Sequence, residues 1–175
     1  MSRTRRWLLA PLLAALTSPG CSRRSVAAPP DIHYGLETCA DCGMIISDPH
    51  YAAAIEWRAA PTGPDSTAVF DDIGCLLDWR RQHPQARLVA AWVKDVRTTA
   101  WLNAPFACYL HNRRLGTPMG WGVVAGQQAT SFLELPIHGP VLTWPQILAS
   151  MKAPSDGVHA PDSGSGAPVL GPPRA

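Results

Sequence analysis

The chain has 175 residues, with 15 Lys and Arg against 13 Asp and Glu, a formal charge of +2 and 5 cysteines. So weak a charge gives no electrostatic drive toward nucleic acid and no polybasic stripe for anionic lipid. A Gly-rich phosphate loop, a nucleophile elbow and a His-Glu-x-x-His helix are all missing, so the sequence carries no familiar mark of an enzyme.

The N-terminus sets Arg3, Arg5 and Arg6 before an apolar run from Trp7 to Leu16, followed by Thr17-Ser18-Pro19-Gly20-Cys21. A basic region, an apolar region and a small-residue exit are the parts of an export signal. The apolar run is about half of the ~20 residues that a bilayer span takes, so no permanent transmembrane helix is expected. Cys21 directly after Gly20 resembles the lipobox of bacterial lipoproteins, whose cysteine is acylated, although Ser18 stands where that pattern prefers Leu. A plain signal cut near Gly20 is the alternative. Arg5-Arg6 also resembles a twin-arginine signal, a route that carries folded proteins. Loss of residues 1–20 removes 3 of the 15 basic residues and no acid, leaving 12 basic against 13 acidic residues, or −1.

Residues 21–31 read as a tether and 32–152 as the folded domain. Residues 153–175 are rich in Pro, Gly, Ser and Ala and bury too little apolar surface to offset their ordering entropy, which predicts a disordered tail. Within the domain, residues 51–57 predict a strand whose alternation is weakened by alanines. A turn cluster over 61–66 leads to a second strand ending at Val69-Phe70. Asp71 or Asp72 then caps a helix that runs to about Gln82, before Pro84, with Ile73, Leu76, Leu77 and the stem of Arg80 on one face. Residues 87–93 predict a third strand, completing a β-β-α-β unit.

A second, weaker unit follows. Strands are predicted over 99–102, 107–111 and 120–124, with a turn-rich loop over 112–118. A helix over 127–135, an extended segment over 140–143 and a helix over 144–151 with Pro145 at its first position complete it. The expected fold class is α+β, with halves of about 32–96 and 97–152. Halves of about 60 residues are marginal alone, so they are expected to pack together.

The chemistry concentrates in Cys39-Ala40-Asp41-Cys42-Gly43-Met44. Thiolate and thioether sulfur are soft donors that together select Cu(I), and Gly43 lets the backbone turn so that both thiols converge. A C-x-x-C pair alone is equally compatible with a disulfide, a zinc site completed by other cysteines or histidines, or a redox dithiol. Met44 tilts the reading toward copper. Met119 lies between a proline and glycines in Thr117-Pro118-Met119-Gly120-Trp121-Gly122, a loop setting better suited to reaching a ligand than to filling a core. Its thioether needs no deprotonation, whereas thiolates make affinity rise with pH. Cys75 is expected to point away from the apolar stripe of its helix, as a buried small hydrophobe or a reserve ligand. Cys108 reads as core. The histidines show no paired ligand spacing, His50 alone lying near the motif, and Phe70-Asp71-Asp72-Ile73 is explained by capping.

Three motifs in order then resemble the NosL family of copper-binding accessory lipoproteins. They are Cys39 with Cys42-Gly43-Met44, Phe70-Asp-Asp-Ile-Gly-Cys75-Leu-Leu-Asp-Trp79, and Thr117-Pro-Met-Gly-Trp-Gly122. The resemblance implies paired β-β-α-β units similar to the small domains of organomercurial lyase. It implies a copper chaperone that holds one Cu(I) per chain through cysteine and methionine, here Cys39, Cys42, Met44 and Met119. It further implies delivery to nitrous oxide reductase in the periplasm, from a membrane anchor on Cys21, the outer membrane being favoured. A periplasmic thiol–disulfide oxidoreductase using Cys39 and Cys42 is the rival reading, and a structural zinc domain the third.

Overall fold

A computed structural model describes residues 27–151. The segments read as an export signal and a disordered tail, and Cys21, lie outside the described residues. The elements are β1 (Ala53–Arg58), β2 (Ser66–Phe70), α1 (Ile73–Gln82), β3 (Arg87–Lys94), β4 (Trp101–Asn103), β5 (Cys108–His111), β6 (Val123–Gly126), β7 (Val141–Leu142) and α2 (Trp144–Ser150). Two short 3-10 turns, Ala104–Phe106 and Ala129–Phe132, join them. The fold is α+β, as the sequence predicts. No helix among the described residues is long and apolar enough to cross a membrane.

The first sheet has the order β2-β1-β3-β4, every pair antiparallel. Its central strand explains the weak alternation in the sequence. Ala52, Ala53, Ala54 and Ile55 are all fully buried, because side chains on both faces of β1 are covered, and small residues let the neighbours approach. Helix α1 lies against β1 and β2 and sends Ile73, Leu76 and Leu77 into the core. Its C-terminal end is fixed by aromatic packing. Trp79 sets its ring edge against Trp57 and Phe70, with centroids 5.3 and 6.1 Å away, and His83 stacks on it at 4.1 Å.

The second sheet, β6-β5-β7, is smaller. Tyr109 of β5 is fully buried and donates its hydroxyl hydrogen to the Ala104 carbonyl at 2.7 Å, which satisfies the one polar atom it carries into the core. Two predicted elements differ. The helix expected over 127–135 is a single 3-10 turn, Ala129–Phe132; Pro136 follows closely and disfavours further helix in the residue before it. The strand expected from 120 starts instead at Val123, because Gly120 and Gly122 have φ of 70° and 67°, a left-handed backbone that no strand tolerates. Pro145 stands within the first turn of α2, one place after Trp144, and Thr143 with Gln146 closes a capping box.

Asp95 knits the two sheets together. It is 4% exposed and sits where β3 meets β6 in a parallel bridge to Ala125. Its carboxylate accepts the backbone N–H groups of Arg97 (2.9 Å), Thr98 (3.0 Å) and Gln127 (3.0 Å). Burial pushes this carboxyl upward, but the N–H groups outweigh it and hold it below the usual range. A depressed folded value means that the stabilisation is present above the unfolded value of about 3.9 and is lost as pH falls toward the folded one. Asp95→Ala is therefore expected to cost about 3 kcal/mol at neutral pH, by urea denaturation. The gap between wild type and variant should narrow steadily as the pH is taken below 4.

Candidate metal centre

The Cys39–Met44 segment is a tight turn between two bridged residues, Thr38 and Ile45. The Cys39 N–H donates to the Met44 carbonyl at 2.8 Å and the Gly43 N–H to the Cys39 carbonyl at 3.0 Å. Gly43 has φ of 73°, so glycine is the residue this turn requires. Three outside bonds fix it. The Ala40 N–H donates to the Val69 carbonyl at 2.9 Å, the Gln82 amide to Asp41 at 3.2 Å, and the Ser47 N–H to Asp71 at 3.2 Å. The turn thereby lies along the face of α1 that carries Cys75 and Gln82.

That placement brings a third thiol to the pair. The sulfurs of Cys39, Cys42 and Cys75 all lie within 4.8 Å of one another. Cys39 is 3% exposed, Cys75 is fully buried and Cys42 is half-buried. Among the described residues none of the three is in a disulfide. The Cys75 thiol donates to the Cys39 sulfur, and against the opposing effect of burial the backbone N–H groups of Cys42, Asp71 and Asp41 also face that sulfur; together they bring Cys39 down to about 5. Cys75 is driven far up, because its proton is engaged by that neighbouring thiolate and because it is buried. Burial raises Cys42 as well. These opposed shifts make Cys39 the thiol of the group that ionises first.

The Met119 loop is tied to the start of α1 through Asp72. This fully buried carboxylate caps α1 by accepting the Gly74 N–H at 2.8 Å, and its second oxygen accepts the Met119 N–H at 3.1 Å. Burial raises its carboxyl, and the Thr117 hydroxyl with those two N–H groups opposes the rise. Trp121 lies so close to α1 that a Cβ on Gly74 would sit 2.0 Å from its ring. The Met119 side chain is 37% exposed and that of Met44 58%. Met44 is held by its backbone to Cys39, and Met119 to Asp72, the cap of the helix that carries Cys75.

No protein-family model matches the sequence, and no curated protein matches it. The structure is similar to the crystal structure of the copper chaperone NosL from Shewanella denitrificans, with a TM-score of 0.51 and 14% identity over 67% of this chain and 96% of that one. The chain has the NosL fold. On that fold the C-x-x-C of the sequence meets Cys75, which sequence patterns leave as core or reserve. Far from pointing aside, Cys75 is buried together with the Ile73, Leu76 and Leu77 stripe and faces the turn. Its signal in the sequence is its place in the first turn of a helix whose N-cap, Asp72, also holds the Met119 loop. Among the described residues Cys108 and the histidines stay outside the three-thiol group, and His50 is engaged by Asp48 at 2.8 Å.

The ultraviolet thiolate absorbance of the ion-free protein should rise for one sulfur with a midpoint near pH 5, the value to which Cys39 is lowered. Cys39→Ser should abolish that step. The other thiols should then titrate only on the alkaline side.

Proposed function

We propose that this chain is an exported copper(I) carrier that holds one ion and passes it to a copper enzyme outside the cytoplasm, nitrous oxide reductase being the recipient. The carrying observation is a pocket with three sulfurs within 4.8 Å of one another on the NosL fold. Sulfur donors of this density favour a soft monovalent ion over harder divalent ones. Cys39 and Cys42 supply thiolates from the turn, and Met44 and Met119 supply thioethers from the surface. Partial exposure suits a carrier, because an incoming donor displaces one bound ligand at a time. The N-terminal signal supports export to the periplasm, and Cys21 supports an anchor on the outer membrane.

The burial of the thiols argues against the oxidoreductase reading. Attack on a disulfide substrate needs an accessible thiolate. Here the thiol of lowered pKa, Cys39, is 3% exposed. The C-x-x-C occupies a turn and opens no helix.

Titration of Cu(I) against a competing chelator tests the reading. One ion per chain should bind, and Cys39→Ser or Cys42→Ser should weaken it by more than the roughly 10–100-fold that loss of a supporting residue costs. Failure of the wild type to take up Cu(I) would end this proposal. Separately, Cys21→Ser is expected to shift the exported protein from the membrane fraction to the soluble one.

A further inference from the structure

The turn from Cys39 to Met44 joins two short segments that carry an exposed apolar surface. Residues 35–39 run antiparallel to residues 44–46. The Gly35 N–H donates to the Ile46 carbonyl at 2.8 Å, the Ile46 N–H donates to the Glu37 carbonyl at 2.9 Å, and Thr38 is bridged to Ile45. Side chains alternate across such a pairing. Cys39 and Ile46 are buried on its inner side, whereas Leu36 and Ile45 are 79% and 53% exposed on the outer one. Met44, at the turn itself, is 58% exposed. One exposed leucine is ordinary, but three large apolar side chains on so short a ladder make a patch. Its rim has one sign of charge. From residue 27 to Trp57 the chain has no Lys or Arg, while Asp31, Glu37, Asp41 and Asp48 fall in or beside the ladder. Burial raises the Tyr34 hydroxyl, and Asp31 and Asp48 both add to the rise. The partners of Glu37 and Asp48 are imidazoles, His33 at 2.9 Å and His50 at 2.8 Å, and that of Asp41 is the neutral Gln82 amide. Permanent cations are engaged elsewhere: Arg81 pairs with Asp78 at 2.7 Å, and Lys94, which bears on Asp31, lies over the Trp101 ring. Arg113 and Arg114 belong to the separate loop that leads to Met119.

We propose that the outer face of this ladder, Leu36 with Ile45 and the adjoining Met44, is the docking surface for the copper-accepting protein, which meets it with an apolar centre inside a basic rim. This rests on the copper-carrier reading and adds the chemistry of the partner. An apolar centre within a polar rim is the ordinary anatomy of a protein interface. Here the rim is acidic, so the complementary rim is lysine and arginine. Opposite charges of this kind speed encounter and exclude wrong partners more than they tighten the complex. A carrier gains from that, since it must meet its partner quickly and leave it again. Anionic lipid is repelled by the same rim, so the patch does not face a membrane. Leu36 and Ile45 have no donor atom for copper in their side chains. Their part is to seat the partner over the turn that carries Cys42, the half-buried thiol.

The probes are two Cu(I)-accepting peptides with the same Cys-x-x-Cys and a central leucine, one flanked by lysines and the other by glutamates. In stopped-flow transfer from the Cu(I)-loaded full chain, the lysine peptide should accept the ion roughly 10-fold or more faster at low salt. That difference should shrink as salt rises to about 1 M, where the screening length falls to about 3 Å. The variant Asp31→Asn/Glu37→Gln/Asp48→Asn should lose the preference. Leu36→Ser/Ile45→Ser should slow transfer to the lysine peptide roughly 10-fold, as loss of an interface anchor does. Both variants should keep the wild-type equilibrium affinity for Cu(I). Circular dichroism and thermal melting establish that each is folded, and should Asp48→Asn not fold, Asp31→Asn/Glu37→Gln decides the matter. Equal rates for the two peptides, a preference that survives the acid substitutions, or a rate indifferent to Leu36 and Ile45 overturns the proposal while leaving a copper carrier intact. Absence of any Cu(I) uptake by the wild type would instead remove the carrier reading beneath it.

Discussion

The buried carboxylate of Asp72 is the constraint on which the rest of this site depends. One oxygen caps α1 at Gly74 and the other holds the Met119 backbone 47 residues further on. An N-cap of this kind contributes about 1 kcal/mol to a helix, but here the same group also sets where a distant loop lies. Because the helix start carries Cys75 and the loop carries Met119 and Trp121, one side chain fixes the register between the thiol pocket and the loop beside it. Asp72 is fully buried, so its charge is tolerated only through the donors it gathers, and losing any of them would leave a costly orphan.

The pocket stabilises sulfur chemistry by arrangement rather than by positive charge. No Lys or Arg is among the groups that lower Cys39; its thiolate is held by backbone N–H groups and the Cys75 thiol. Backbone donors from a turn are fixed by the fold and need no reorganisation when an ion arrives. The surrounding carboxyls of Asp71 and Asp72 are raised chiefly by burial, with the Cys39 thiolate adding to the rise. Such a setting favours a cation entering the pocket and disfavours small anions there. It also makes a further thiolate beside Cys39 costly, which is the physical reason the Cys75 thiol is driven so far up.

The chain order of elements was largely legible. The β-β-α-β unit from β1 to β3 follows from turn residues, the Asp72 cap and the stop at Pro84, all of which act within a few residues of one another. The turn of Cys39 to Met44 was equally plain, since two thiols, a glycine and a methionine need only local backbone to converge. Less plain were the start of β6 and the 3-10 turn at Ala129–Phe132. There the backbone follows left-handed glycines and a proline rather than apolar periodicity.

By itself, the sequence determined the soft-donor turn, the capped helix and the α+β class, because these depend on contacts between near neighbours. Tertiary structure alone decided that Cys75, rather than Cys108 or a histidine, would meet the Cys39–Cys42 pair. That meeting needs the turn to be pinned to Val69, Asp71 and Gln82, bonds between segments far apart in the chain. Periodicity on a single helix cannot reveal which element will cover it. The same holds for Asp95, a residue with no sequence signature, whose place between two sheets gives it three donors. Short-range stereochemistry is written residue by residue, whereas the partner of a buried polar atom is known only once the whole core has closed around it.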